Sequence, residues 1–348
     1  MIQNWRFCRD DEEAAAELSG FLPEKLFDIH AHLYRVADLH LGRGQQGYLT
    51  EGPEEAGLIA WRQSLEKQGG GNRLSGGLFF AFPTDDCDVD SANNYVVDQL
   101  NTVKDSRGLL LVTPQTQEGT ILEALENPLI VGLKPYHIYS TERPTFESSV
   151  FGYMPERLWA LAGQRELIVM LHLVRAAALS DAENLAAIRS MCEKYPGVKL
   201  ILAHAGRGFC AHNTVRSIAR LCGLENIWFD TSGICEAAAL RAILEKFGPH
   251  RLLWGSDFPL SQMRGRCVTV GDGFAWLNNT TVLWENVALH CAPILVGLES
   301  IRAVKEACDL QGLSRDDIWE LFYGNALRLT RAEPYNGVIS DRVKGLTV

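Results

Sequence analysis

The sequence lacks paired cysteines, clusters of basic residues and long apolar runs, and each absence excludes a class of protein. Its nine cysteines are scattered without a Cys-x-x-Cys pair, a usage typical of free thiols in a reducing compartment rather than of a disulfide framework. The formal net charge of −10 and the absence of a basic run argue against nucleic acid as a partner. An acidic protein can still bind an anionic small molecule in a locally positive pocket.

Signals for membrane insertion and secretion are also missing. No apolar run approaches the roughly 20 residues that span a bilayer. The segment 9–17, RDDEEAAAE, is acidic where a signal peptide would be basic and then apolar. We therefore expect a cytoplasmic protein with no membrane partner. The oligomeric state is left open, since a homodimer or a larger assembly is compatible with the sequence.

Short apolar runs indicate the fold class. The 348 residues, 47% hydrophobic and 22% charged, suffice for one large α/β barrel or two ordinary domains. Helical stretches separate eight apolar runs of strand length. These runs are 26–32, 76–82, 107–113, 129–135, 167–172, 198–204, 226–232 and 251–257.

The character and number of these runs favour a closed parallel barrel. Continuous apolar runs are typical of parallel strands that are covered on both faces. Eight of them alternating with helices predict an α/β fold of the (β/α)8 TIM-barrel type. A doubly wound open sheet would instead place a Gly-x-Gly-x-x-Gly turn after its first strand, which here ends in HAHLYR.

We expect a single barrel domain, residues 22–332, because no internal repeat or Pro-rich linker suggests a second one. A helical N-terminal lead-in, residues 1–21, should precede the barrel, and a C-terminal tail, residues 333–348, should follow it. Two long loops depart from a minimal barrel. They comprise residues 33–75 after the first strand and residues 258–290 after the eighth.

Residues capable of chemistry lie where the expected strands end. Active sites of such barrels occupy the face at the carboxyl ends of the strands. His30 and His32 are two apart at the end of strand one, so they share a face and can coordinate one ion. Strands five, six and eight end in His172, His204 and Asp257.

Taken alone, each of these residues has a structural explanation, because an imidazole or carboxylate at a strand end often only forms hydrogen bonds at the rim of the sheet. Their coincidence favours a metal site. Four of the nine histidines lie at strand ends, and histidine with carboxylate is the ligand set of zinc and its first-row neighbours. We predict one divalent ion per chain, zinc in the first place and manganese as the alternative.

The strand-end motifs resemble those of a known group of enzymes. The set D-x-H-x-H, LH, LAHAGRG, FDTSG and WGSDFP, followed by GLSRDDIWELFYGNALRL, resembles the amidohydrolase superfamily. More narrowly, it is similar to the amidohydrolase-related branch of TIM-barrel metal-dependent hydrolases and aminocarboxymuconate-semialdehyde decarboxylase-like enzymes. The resemblance covers residues 24–332.

The resemblance implies roles for individual residues. The four metal ligands that it implies are His30, His32, His172 and Asp257. Asp257 would also transfer the proton, and His204 would be a catalytic or substrate-orienting imidazole. Asp28 would support the ligands from behind rather than bind the metal.

Four further residues are candidates for contact with the substrate. The guanidinium groups of Arg35 and Arg207 can pair with a carboxylate bidentately, although either can equally face solvent or a nearby acid. Lys134 ends strand four, where some superfamily members carry a carbamylated lysine that bridges two metals. Alternatively, Lys134 holds a substrate carboxylate, or it is an ordinary lysine that forms hydrogen bonds at the rim of the sheet. We expect Tyr136, on the following loop, to line the pocket.

Three functions remain open at this stage. We favour a metal-dependent hydrolase of a small lactone, ester or amide of an organic acid that uses a metal-activated water, because hydrolysis is the commoner assignment in this superfamily. A non-oxidative decarboxylase of an aromatic or unsaturated carboxylic acid is the alternative, since the same ligands serve both reactions. A non-catalytic binding barrel is the third. The substrate depends on loops 33–75, 136–155 and 258–290, which no motif decodes.

Overall fold

The computed structural model describes residues 3–41, 47–69, 71–287 and 292–332. Eight parallel strands alternate with helices, and every strand predicted from an apolar run is present. The strands are β1 (Leu26–Arg35), β2 (Leu74–Ala81), β3 (Arg107–Val112), β4 (Ile130–Pro135), β5 (Ile168–Leu171), β6 (Lys199–Leu202), β7 (Ile227–Asp230) and β8 (Leu252–Leu253).

Hydrogen bonds join these strands in chain order and close the sheet on itself. At the seam, the amide of Asp257 donates to the carbonyl of His30 (2.8 Å), and the amide of His32 donates to the carbonyl of Phe258 (2.7 Å). The segment after β8 thus pairs with β1. The prediction of a (β/α)8 barrel is confirmed, and the open doubly wound sheet is excluded.

Helices precede, connect and follow the strands. They are α1 (Arg9–Ser19), α2 (Val36–Leu39), α3 (Gly47–Thr50), α4 (Leu58–Gly69), α5 (Val89–Leu100), α6 (Glu118–Ala124), α7 (Val150–Tyr153), α8 (Glu156–Gln164), α9 (Ala182–Lys194), α10 (Ala211–Ser217), α11 (Ala237–Phe247), α12 (Val296–Gln311), α13 (Arg315–Trp319) and α14 (Asn325–Thr330). A π-helical turn, Glu320–Gly324, joins the last two. In the described ranges, none of these helices has the length and apolarity needed to cross a membrane.

The inside of the barrel is filled by large apolar side chains. Phe27 and Ile29 of β1 pack there with Leu78 and Phe80 of β2, and all four are completely buried. Each such side chain contributes roughly 1.5–3 kcal/mol by leaving water. The core thereby fixes the strands whose ends carry the polar side chains.

A register shift in β1 changes which residues point inward. The pairing of β1 with β2 is irregular between Asp28 and Ala31. Within and just after this stretch, the rings of His30 and His32 both contact Phe80, at centroid distances of 5.0 and 4.6 Å. A bulge often redirects a side chain next to a functional site, and here it turns two successive histidines of one face toward the barrel axis.

The segments outside the barrel pack on one another. After β8, two antiparallel strands, β9 (Gly265–Val270) and β10 (Gly273–Asn278), form a hairpin. Just before the hairpin, completely buried Arg264 forms a 2.7 Å ion pair with equally buried Asp11 of α1.

The domain limits expected from the sequence stay predictions, and the expected tail, residues 333–348, lies outside the described residues.

Candidate metal centre and substrate cavity

Side chains from β1 and from the end of β8 converge at one point. Nε2 of His30 and Nε2 of His32 lie 3.4 and 3.5 Å from the same atom, Oδ1 of Asp257. Nδ1 of His204, from the turn after β6, lies 3.8 Å from Oδ2 of Asp257. We call these four residues the histidine–aspartate cluster. Ligand atoms of His30, His32 and Asp257 all lie within 4.8 Å of one another, close enough to hold one ion.

The backbone at two of these positions adopts a conformation that non-glycine residues rarely take. Asp257 has φ +55°, and the turn after β6 has φ +54° at His204, +55° at Ala205 and +61° at Arg207. Such strain costs roughly 1–3 kcal/mol per residue and persists only where the surroundings fix it. Here the amide of His204 donates to Oδ1 of Asp230 (2.8 Å), which holds the turn.

Hydrogen bonds set the tautomers of the two β1 histidines. Nδ1 of His32 lies 3.2 Å from the carbonyl of Ala81, and a carbonyl only accepts, so Nδ1 carries the proton. Nδ1 of His30 lies 3.0 Å from Oδ2 of Asp230 and donates to it in the same way. Both Nε2 lone pairs therefore face Asp257. Nε2 of His30 is buried and has no hydrogen-bond partner among the described groups.

The cluster's protonation state suits a divalent cation. Burial lowers the pKa of both His30 and His32, which keeps the imidazoles neutral. The pKa of Asp257 lies below its usual value in spite of its burial, so the carboxylate is ionised. Neutral imidazoles and an ionised carboxylate are the donor set of zinc-type ions. Together with the unpartnered Nε2 of His30, this donor set fits a divalent metal.

Asp230, at the end of β7, is a site residue that the sequence interpretation missed. Its Oδ2 holds His30, and its Oδ1 accepts from the amide of His204 and from Oγ of Ser232 (2.5 Å). Imidazole, carboxylate and backbone are thus locked together, as metal-binding histidines commonly are. The available signal was the FDTSG motif, whose aspartate ends a strand as Asp257 follows one.

Asp28 acts on the backbone rather than on an imidazole. It accepts hydrogen bonds from the amide of His30 (3.1 Å), from the amide and Oγ of Ser256 (2.8 and 2.6 Å) and from Nε1 of Trp61 (2.8 Å). Burial raises the pKa of Asp28 to about 6 against these hydrogen bonds. Its position behind the cluster ties β1 to the segment after β8.

His172 lies beside the cluster rather than among its converging ligand atoms. The groups that could share an ion among the described residues do not include it. Its ring packs 4.9 Å from the ring of His204 and 4.9 Å from that of Tyr136. Its Nδ1 is buried without a hydrogen-bond partner in the described part of the chain. The assignment of His172 as a metal ligand stays a prediction.

A cavity of about 430 Å³ opens beside the cluster, a volume that suits a small molecule. Polar lining residues include His32, Tyr136, His172, His204, Arg207 and Asp257. The loop after β4 and the hairpin β9–β10 add the aromatic rings of Phe146, Phe274 and Trp276. Tyr136 and Arg207, both expected near the substrate, therefore do face this space.

The structure does not bring Arg35 into the cavity. Its guanidinium donates to both carboxylate oxygens of Asp38 (2.9 and 3.1 Å) and to Oγ of Ser91 (3.1 Å). The geometry thus gives no support to a substrate role for Arg35. The substrate role of Arg35 stays a prediction, and its position next to the His-x-His motif gave no information about its pairing with Asp38, three residues later.

Lys134 is completely buried and is not among the residues that line the cavity. Its Nζ lies 4.6 Å from the ring centre of Phe80 and has no hydrogen-bond partner in the described residues. Burial lowers the pKa of Lys134 to about 8, while Asp230 and Asp257 oppose that shift. Direct contact between Lys134 and a substrate in the cavity finds no support in this geometry.

This arrangement agrees with the comparison to known families. A family model described as amidohydrolase matches residues 27–331. The chain belongs to the amidohydrolase family. The protein is therefore an enzyme.

Relatives of this amidohydrolase include a curated lactonase. The chain is 27% identical over 124 residues to L-fucono-1,5-lactonase of Burkholderia ambifaria, a match that covers 31% of this chain and 42% of the lactonase. The chain thus matches less than half the length of that relative.

Solved structures share the fold of this amidohydrolase. An amidohydrolase from Burkholderia multivorans with bound zinc has TM-score 0.56 and 16% identity, over 89% of this chain and 100% of that one. A probable 2-pyrone-4,6-dicarboxylic acid hydrolase from Acinetobacter baumannii with citric acid bound has TM-score 0.56 and 16% identity, over 88% and 99%. A 2,6-dihydroxybenzoate decarboxylase from Rhizobium has TM-score 0.56 and 12% identity, over 89% and 99%.

Proposed function

We propose that this amidohydrolase is a metal-dependent hydrolase of a small organic molecule, namely a lactone, ester or amide of an organic acid. The observation that carries the proposal is the convergence of His30 Nε2, His32 Nε2 and Asp257 Oδ1 beside a cavity of small-molecule size. The similarity of part of the chain to a lactonase supports a cyclic ester as the first substrate class to test.

The metal is proposed to be one divalent ion per chain, zinc or alternatively manganese. His30, His32 and Asp257 would hold it, with His172 as the fourth ligand. When bound, such an ion supplies Lewis acidity to a water or to a substrate carbonyl. A zinc-bound relative of the same fold supports the choice of zinc.

The residues of the chain then divide the remaining work. Asp257 is ionised, so its carboxylate can accept the proton of the attacking water and return it to the leaving group. His204 has its Nδ1 fixed by the carbonyl of Ser232 (3.0 Å), which leaves Nε2 as the nitrogen available to the substrate. We propose that His204 stabilises the negative charge that develops on the carbonyl oxygen of the substrate.

Turnover of a panel of lactones, esters and amides tests this proposal. Chelation of the metal should abolish hydrolysis, and addition of zinc to the same sample should restore it. Carbon dioxide release from an aromatic or unsaturated acid would instead support the decarboxylase alternative, because the same ligands serve that reaction. Hydrolysis that survives complete removal of metal would contradict the proposal.

A further inference from the structure

Arg207 is a buried cation for which the described residues provide no ion-pair partner. The residue is 4% exposed, and its Nη1 donates to the carbonyl of Arg175 (2.6 Å). No carboxylate among the described residues lies within the 4.0 Å that defines an ion pair with it. The charge of exposed Glu147 acts on Arg207 from beyond ion-pair distance, and Asp181 and Glu183 pair with Arg175.

An uncompensated buried charge is expensive, and proteins rarely keep one without a use for it. A guanidinium has five donors, and the hydrogen bond to the carbonyl of Arg175 engages one of them. Arg207 lines the cavity. Its remaining donors are thus best satisfied by an anion that enters the cavity as part of a ligand.

Two aromatic rings fix the orientation of this guanidinium. Its Cζ lies 4.4 Å from the ring centre of Phe146, on the loop after β4, and 5.2 Å from that of Phe274, on β10. Cation–π contacts of this kind hold the plane of the group without neutralising its charge. A loop and a hairpin strand that are distant in sequence therefore orient one arginine side chain.

The neighbouring histidine does not compete for an anion. His137 packs edge-on against Phe146 at a centroid distance of 5.9 Å. Burial, helped by the Arg207 charge, lowers the pKa of His137 to about 4, so the imidazole is neutral. We call Arg207, Phe146, Phe274 and His137 the arginine wall. Arg207 is its only cation.

The arginine wall is distinct from the histidine–aspartate cluster. His30, His32 and His204 all approach Asp257 within 4 Å, whereas Arg207 forms no ion pair with that carboxylate in the described structure. An anion on the guanidinium therefore need not be the group that reacts beside Asp257.

We propose that Arg207 binds a carboxylate of the substrate that is not the reacting group, so that the substrate is an anionic lactone, ester or amide. A carboxylate matches the planar, bidentate geometry of a guanidinium, which a lysine would not reproduce. This inference rests on the proposed function for the nature of the reacting bond, but not for the existence of the anion site.

Calorimetric titration of the metal-loaded protein with benzoate and with benzamide tests the anion site. The two probes share size and shape and differ in charge. Wild type should bind benzoate at least about tenfold more tightly than benzamide, the scale of a charge-assisted hydrogen-bond pair. Arg207→Gln should remove that preference, and Arg207→Lys should keep part of it. Arg216→Gln, an exposed arginine outside the cavity and the matched control, should behave as wild type.

Thermal unfolding and metal content of each variant establish that the fold and the metal centre are intact. Equal affinity of wild type for the two probes, including no binding of either, would overturn the inference. So would a preference for benzoate that persists in Arg207→Gln. Because the titration involves no turnover, its failure is distinguishable from a failure of the proposed hydrolysis.

Discussion

The two sides of the cavity are built in different ways. The histidine–aspartate cluster is formed at strand ends, and every one of its imidazoles is held by a hydrogen bond from Nδ1 to a carboxylate or a carbonyl. The arginine wall comes from a turn, a loop and a hairpin, and it holds Arg207 mainly by aromatic contacts.

This difference suggests a division of labour. Strand ends of a closed barrel are rigid, and a metal centre needs ligands positioned within a few tenths of an ångström. Loops vary more easily than strands, and they commonly set which substrate a barrel accepts. We therefore expect substitutions in the cluster to remove the reaction, and substitutions in the arginine wall to change the substrate.

The largest effect should come from removing both β1 ligands. His30→Ala/His32→Ala should lose the divalent ion and with it all metal-dependent turnover, because two of the proposed ligands are gone. Elemental analysis of purified protein measures the loss, against about one ion per chain in wild type. His212→Ala, an exposed histidine, is the matched control and should retain the metal. Full metal retention in the double variant would refute the site assignment.

Asp257→Asn should have the next largest effect. The amide keeps an oxygen for the metal but cannot accept the proton, so turnover should fall by at least about a hundredfold, the scale of general-base losses. Steady-state rates measure this, with circular dichroism to show that the fold survives. A near wild-type rate would leave Asp257 a ligand at most.

Asp230→Asn should act through the ligand that it orients. Loss of the carboxylate that fixes Nδ1 of His30 should weaken metal affinity by about 10–100-fold, as is typical of such supporting groups. Competition with a fluorescent chelator measures the affinity. Asp28→Asn is the comparison, since Asp28 is equally buried but contacts backbone, Ser256 and Trp61. A larger loss of metal affinity in Asp28→Asn than in Asp230→Asn would contradict our assignment of Asp230 as the carboxylate that orients the ligand.

The smallest effect on turnover should come from the buried Asp11–Arg264 pair, which supports the fold and contributes nothing to the cluster. Burial tends to raise the pKa of Asp11, but hydrogen bonds from Arg264 and Cys8 outweigh it and lower the pKa. The pair thus stabilises the fold above the unfolded-state pKa of about 3.9 and loses this contribution as the pH falls through the lower folded-state pKa.

Asp11→Asn leaves Arg264 buried without its counter-charge. The free energy of unfolding should fall by about 3–5 kcal/mol, the typical cost of breaking a buried ion pair. Denaturant unfolding at neutral and acidic pH measures it. The difference in free energy of unfolding between variant and wild type should be largest at neutral pH and should become smaller in acid. Turnover per folded molecule should stay unchanged. A difference that grows on acidification would contradict the expected direction of the Asp11 pKa shift.

The sequence was sufficient for the barrel because its signal is local. Eight continuous apolar runs mark strands buried on both faces, and all eight are observed. The same logic placed His30, His32 and Asp257 together, since parallel strands end at one face. Asp230 also ends a parallel strand and therefore lies at the same face. Its motif, FDTSG, is equally typical of a strand end without a function, so the sequence did not single it out.

The arginine wall could not be predicted in this way. Arg35 and Arg207 looked equivalent in sequence, and only folding shows that Asp38 captures one guanidinium while two distant aromatic rings hold the other. His172 shows the limit of predicting a ligand from its place at a strand end. It lies at the expected strand end, yet its ring is beside the converging ligand atoms and not among them. Side-chain partners that are remote in sequence decide such cases.

The most direct test of the proposed function is product analysis in water enriched in oxygen-18. The metal-loaded protein would be incubated with a carboxylate-bearing lactone, and the product examined by mass spectrometry. Hydrolysis predicts one solvent oxygen in the newly formed carboxylate and no carbon dioxide. Release of carbon dioxide with a product that carries no solvent oxygen would contradict the account and establish decarboxylation instead.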